Sequence, residues 1–194
     1  MSKVKIQGNA SGTAEFTIEA PNGSTNRTLT LPDTTGTLLD SSGQGADTWY
    51  LNTNHTTNAD ITAWTRLTSD GVGNIGNAMS VSSGVFTFPT TGVWLVLTTF
   101  AIVNNSTAGD DSYIFMNTTS DNFSTTNTGL LLARLFTSGV GSLIVTGGNF
   151  MFDCTDTAND KVKWTASSFS SGNFVEGLTG TYRSWVHFVR LGDT

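Results

Sequence analysis

The chain has 194 residues, 37% hydrophobic and only 12% charged, with a formal net charge of −6. One domain of ordinary size plus a short appendage fits that length, and a polar complement of Thr, Ser, Asn and Gly in place of charge is poor in helix formers. The negative balance, with no cluster of Lys and Arg, argues against a nucleic-acid partner, and no apolar run of about 18 residues is present to insert into a membrane.

In chain order, residues 1–40 differ in kind from the rest. Glu15-Phe16-Thr17-Ile18-Glu19 alternates, Pro21-Asn22-Gly23-Ser24 reads as a turn, and Arg27-Thr28-Leu29-Thr30-Leu31-Pro32 alternates again before Asp33-Thr34-Thr35-Gly36 and a third short strand at Leu38. This predicts a β-hairpin segment. Phe16, Ile18, Leu29, Leu31, Leu38 and Leu39 are too few apolar side chains to offset the entropy of ordering forty residues, so the segment must share a core with other chains. The first eight residues lack the apolar stretch of a signal peptide, so synthesis in a cytoplasm without export by the general route is expected.

Residues 41–47, Ser-, Gly- and Ala-rich, read as a linker, and 48–194 as the main domain. Strands are expected near 48–52, 61–68, 84–89, 92–103, 112–118, 129–137, 142–154, 160–169 and 181–191. Nine or so strands with turn residues between them make an all-β sandwich with almost no helix. The run Gly92–Val103 is the longest apolar stretch. Alternation places Val93, Leu95, Leu97, Ala101 and Val103 on one face and Trp94, Val96, Phe100 and Ile102 on the other. Both faces being apolar, one is expected in the domain's own core and the other under a second layer or a second subunit.

Catalytic chemistry has little to stand on. His55 lies among Asn and Thr, His187 lies between Val186 and Phe188, and neither has a Ser or Cys partner in view, so the reading is no enzyme. Gly71-Val72-Gly73-Asn74-Ile75-Gly76 matches a dinucleotide fingerprint but sits between β segments, where no helix follows to receive a phosphate. No cofactor is expected. The local carboxylate groups are Asp110 with Asp111, and Asp153, Asp156 and Asp160, which are weak calcium candidates because a hard cation needs several converging oxygens and aspartate is common in turns. Cys154 ends an apolar run and reads as a buried, inert thiol. Phe123, Phe169 and Phe174 sit in loops rich in hydroxyls and amides, the mixture that sugar-binding surfaces use, and are candidates for contact with a host-surface glycan.

Two resemblances add to this. Ala10-Ser11-Gly12-Thr13-Ala14-Glu15-Phe16-Thr17-Ile18, Ala20-Pro21 and Arg27-Thr28-Leu29-Thr30-Leu31-Pro32-Asp33-Thr34-Thr35-Gly36-Thr37-Leu38 resemble the fibre repeat of tailed-bacteriophage virion proteins. That implies an intertwined, trimeric β segment docked on a virion through Phe16, Ile18, Leu29, Leu31 and Leu38. Val85-Phe86-Thr87-Phe88-Pro89-Thr90-Thr91-Gly92-Val93-Trp94, Asn159-Asp160-Lys161-Val162-Lys163-Trp164 and Ser184-Trp185-Val186-His187-Phe188-Val189 resemble strands of the C1q and tumour-necrosis-factor (TNF) jelly roll, with Asn159 where that family usually has glycine. The implied state is a three-fold homotrimer packed on aromatic faces, here Trp94, Val96, Phe100 and Ile102.

Together the resemblances imply a structural protein of the virion surface, assembled in the host cytoplasm, whose partners are the major capsid protein or tail and baseplate proteins. A forty-residue root reaches at most about 130 Å, which suits capsid decoration better than a long fibre. The alternative is a short tail fibre with a lectin-like, glycan-binding head.

Overall fold

The structure, a computed structural model, describes Ser24 and residues 44–69, 71–105, 111–136 and 139–194. Phe16, Ile18, Leu29, Leu31, Leu38 and Asp110 lie outside the described residues. Among the described residues there are thirteen strands: β1 (Gly45–Leu51), β2 (Thr53–His55), β3 (Trp64–Arg66), β4 (Ile75–Gly76), β5 (Ser80–Ser82), β6 (Val85–Thr87), β7 (Gly92–Asn104), β8 (Asp111–Thr119), β9 (Thr128–Phe136), β10 (Ser142–Cys154), β11 (Lys161–Ser167), β12 (Phe174–Leu178) and β13 (Trp185–Gly192). No helix occurs among the described residues.

They form two antiparallel sheets. One runs β2-β12-β7-β13-β1-β3, with β10 added on β7 and β4 on β1; the other runs β5-β6-β11-β8-β9. This is a jelly-roll β-sandwich. Strand β7 organises the first sheet: its thirteen residues pair with β10 from Gly92↔Cys154 to Asn104↔Ser142, while β13 and then β12 occupy its other side. The first strand begins at Gly45, inside the stretch expected to be linker, because Ala46 and Asp47 already pair with Val189 and Phe188. At Gly92 the backbone has φ of +138°, and a Cβ there would lie 2.5 Å from Gly192 O, so only glycine fits where the two strands close the end of the sheet.

Between the sheets lies an aromatic core. The Trp164 ring has Trp64, Phe86, Phe100 and Phe188 at centroid distances of 5.6, 5.3, 6.5 and 6.1 Å, each edge-on or tilted, as ring quadrupoles prefer. Burying a side chain of this size contributes about 1.5–3 kcal/mol. Trp94, Val96, Phe100 and Ile102 belong to this core, each no more than 1% exposed within a single copy. The expected assignment of these four to packing between copies is therefore reversed. The bulky aromatic side chains of β7 fill the space between sheets, and the aliphatic face, Val93, Leu95, Leu97 and Val103, is the one left partly open.

A bulge reorders β9. Ile114 pairs with Ala133 but Phe115 pairs with Leu131, so Leu132 is an extra residue. The alternation slips there: Leu132 and Ala133 are both buried, while Leu130 and Leu131 remain exposed. The apolar run 130–136 is thus apolar on both faces for a local geometric reason.

Candidate functional site

The outer face of the first sheet is where this chain departs most from an ordinary solvated surface. Register places its outward side chains in rows across β10, β7, β13 and β1: Met151, Leu95, Val189 and Ala46; then Asn149, Leu97, His187 and Thr48; then Gly147, Thr99, Trp185 and Tyr50. None of these is Asp, Glu, Lys or Arg. Beyond them on β10, Leu143 and Val145 are exposed, and Met151 is 71% exposed. An antiparallel sheet facing water normally carries polar residues on such a face, so an apolar one needs a cover.

The middle of the face is a depression of about 380 Å³ lined by Thr48, Leu67, Val72, Leu97, Tyr182, Trp185 and His187. Tyr182 is fixed against Tyr50 with ring centroids 4.6 Å apart. His187 Nδ1 is hydrogen-bonded to Thr48 Oγ1 at 2.6 Å. Partial burial depresses the imidazole pKa, and the Asp47 charge opposes that only in part.

An imidazole beside a hydroxyl is the minimal unit of a base and nucleophile, and the Thr48–His187 pair was invisible in the sequence because 139 residues separate them. What a triad also needs is an orienting carboxylate. Asp47 is next in the chain but points to the opposite face, where its oxygens accept from Trp49 Nε1 at 3.0 Å, Arg66 Nε at 3.1 Å and the Met79 N–H at 3.0 Å. The other histidine, His55, is hydrogen-bonded to its own loop, with Nε2 2.8 Å from Thr57 O, and burial lowers its pKa. Cys154 is fully buried and its thiol is pushed up to about 11, chiefly by burial and then by the Asp160 charge, so a thiolate is scarce at neutral pH. The inert reading of this cysteine holds.

The remaining candidates are scattered. Asp111 accepts two hydrogen bonds from Arg134, at 2.9 and 3.1 Å. Asp156 accepts from the Ala158 N–H and from Asn159 Nδ2, both at 2.8 Å, and so shapes a turn. Asp160 is buried beside it, and Asp153 is exposed on β10. Among the described residues no three His, Cys, Asp or Glu side chains gather as a metal would require. Phe169 is a correction: it is 7% exposed and part of the core, pinned by Asn58, which bonds both its N–H and its carbonyl. Phe123 lies under Lys163 Nζ, 4.4 Å from the ring centre, whereas Phe174 pairs with Val103 near the far end of β7. The three rings form no common surface. The Gly71–Gly76 stretch runs into β4, not a helix, and among the described residues no helix is long and apolar enough to cross a membrane.

No protein-family model matches the chain, and no curated protein does. Solved structures do. The chain is similar to Eiger TNF from S. frugiperda, with a TM-score of 0.57 and 13% identity over 78% of this chain and 95% of that one. It is also similar to murine APRIL, with a TM-score of 0.53 and 9% identity over 76% of this chain and 99% of that one. At such identities the likeness establishes a TNF-like jelly roll and nothing finer.

Proposed function

We propose that this chain is a non-enzymatic structural protein of a bacteriophage virion: a homotrimer rooted on the particle by residues 1–40 and displaying the jelly roll on its surface. Capsid decoration is the preferred position, with a short tail fibre as the alternative. The observation that carries the reading is the outer face of β10, β7, β13 and β1, uncharged across its three central rows and bordered by Asp153 at the end of β10, which a second and third copy would cover. From strand spacing and rise, that face spans on the order of 600 Å², close to the roughly 800 Å² per partner of an ordinary stable interface. The likeness to the fibre repeat in residues 10–38 supports the virion assignment, and the likeness to the TNF jelly roll supports three-fold assembly.

Quantitative mass spectrometry of purified particles, with imaging of the labelled protein, tests this. Hundreds of copies on the capsid are expected. A few trimers at the tail would move the protein to the tail, and absence from particles would overturn the virion role.

A further inference from the structure

On the flank of the sandwich, the end of β8, the start of β9 and the end of β10 frame a second depression, of about 290 Å³, with a different chemistry from the assembly face. It holds the carboxylate of Asp160, only 5% exposed. One carboxylate oxygen, Oδ2, accepts from the Thr155 N–H at 2.7 Å, Thr155 Oγ1 at 3.1 Å and the Asp156 N–H at 2.8 Å. Among the described residues the other oxygen, Oδ1, has no donor, yet it is not sealed in. A nearly buried carboxylate with one satisfied and one open oxygen is an acceptor waiting for a donor from the cavity.

The walls supply the rest. Thr118 and Thr128 face each other across the β8–β9 ladder, and neither hydroxyl has a hydrogen-bond partner among the described residues. Phe152 provides an apolar wall and is itself held by stacking on Phe88 at 4.9 Å with 6° between the planes. The rim is fixed before any ligand arrives. Asp121 accepts from Thr119 Oγ1 at 2.6 Å, the Thr125 N–H at 3.0 Å, Thr125 Oγ1 at 2.6 Å and the Thr126 N–H at 2.8 Å, while the Asn122 N–H donates to Asn159 O at 2.9 Å and ties the two bordering loops together. A pre-ordered rim lowers the entropy cost of binding.

We infer that this pocket binds a single neutral or amino sugar ring. Open hydroxyls of Thr118 and Thr128 match ring hydroxyls as donors and acceptors, the Asp160 carboxylate accepts from a hydroxyl or an ammonium, and Phe152 meets the apolar side of the ring. The size is at the lower limit of small-molecule pockets and suits one ring, not a chain. The Asp160 carboxylate repels a sugar acid. A hard cation would find hydroxyls and too few charged ligands. The inference goes beyond the virion reading and draws nothing from the assembly face.

The test is a titration of the full chain with glucosamine, N-acetylglucosamine and glucuronate, each to tens of millimolar, followed by ¹H–¹⁵N correlation spectra, with sedimentation run on the same samples. Glucosamine and N-acetylglucosamine are expected to shift the amides of Thr118, Thr128, Asp153 and Thr155, and glucuronate to leave them in place. Asp160→Asn and Thr128→Val are each expected to weaken binding roughly tenfold. Thr128 is exposed on a strand edge, so its variant stays folded even if Asp160→Asn loosens the β10–β11 turn. Equal binding of glucuronate, no shift with any sugar, or undiminished binding to Thr128→Val would overturn the inference. A monomeric but sugar-binding protein would defeat the assembly reading alone.

Discussion

His187 Nδ1 and Thr48 Oγ1 meet at 2.6 Å in the centre of an otherwise uncharged sheet face, so the imidazole sits where a neighbouring copy would shut out water. Leu97, Tyr182 and Trp185 surround it, and the carboxylate whose charge it feels, Asp47, is turned to the other side and engaged there. Burial lowers its folded-state pKa, so the unfolded chain takes up the proton first as the solution is acidified. The stability contributed by the neutral ring is therefore complete above the unfolded value of about 6.5 and is lost as pH falls through the lower folded value. Covering the face removes more water from the same ring and gives assembly the same sign. Chemical denaturation and sedimentation at pH 7.5 and pH 5 are expected to show weaker folding and weaker association at the lower pH. His187→Gln keeps a polar partner for Thr48 and is expected to flatten the dependence, leaving the part that His55 contributes with the same sign.

Asp47 is the most heavily used polar group in the core. Its side chain is 2% exposed and accepts from Arg66, Trp49 and the Met79 backbone, and Arg66 also lies 4.5 Å over the Trp49 ring. Asp47→Ala would leave a guanidinium, an indole N–H and an amide N–H without their shared acceptor. The expected loss is about 3–5 kcal/mol, the range for breaking a buried pair from one side, read as a drop in the urea midpoint.

Trp64 and Trp164 pack on each other, yet their indole N–H groups fare differently. Trp64 Nε1 donates to Ile61 O at 2.8 Å, whereas Trp164 Nε1 is buried with no acceptor among the described residues. Replacing each by Phe removes similar volume, but only at Trp64 does it break a hydrogen bond and strand a carbonyl. Trp64→Phe is thus expected to cost about 1 kcal/mol more than Trp164→Phe. Equal losses would mean that the Trp164 N–H finds a partner, such as a neighbouring ring face.

Long strands were legible in the sequence because their apolar runs are bounded by turn residues. The expected span 142–154 coincides with β10, and 92–103 falls one residue short of the end of β7. Short strands β2, β4, β5 and β12 were not foreseen: Thr53-Asn54-His55 and Ile75-Gly76 hold their places through neighbours far along the chain, and Ser80-Val81-Ser82 through its hairpin with Val85–Thr87, not through their own pattern. Which face of β7 looks inward was equally hidden. Period two separates Trp94 from Leu95 but does not say which side meets Phe86 and Trp164. Phe169 misled for a related reason, since a ring flanked by serines reads as exposed until Asn58, 111 residues away, is seen to clamp its backbone. The hydroxyl pocket joins strand ends that no spacing connects.

The outer face makes a prediction of its own. Leu97→Asp and Met151→Glu place charge on rows that border no core residue's inner side, so each variant is expected to keep a cooperative melt while losing association, checked by calorimetry and light scattering together. Trp94→Ala, by contrast, removes a core side chain and is expected to cost about 3–5 kcal/mol of folding stability.

Sedimentation equilibrium of the full chain at neutral pH tests the central claim most directly. The account predicts a single species of three times the 20.6 kDa chain mass, dissociated by Leu97→Asp. A soluble, cooperatively melting species of one chain mass, with Leu95, Leu97 and Met151 left in water, would contradict it.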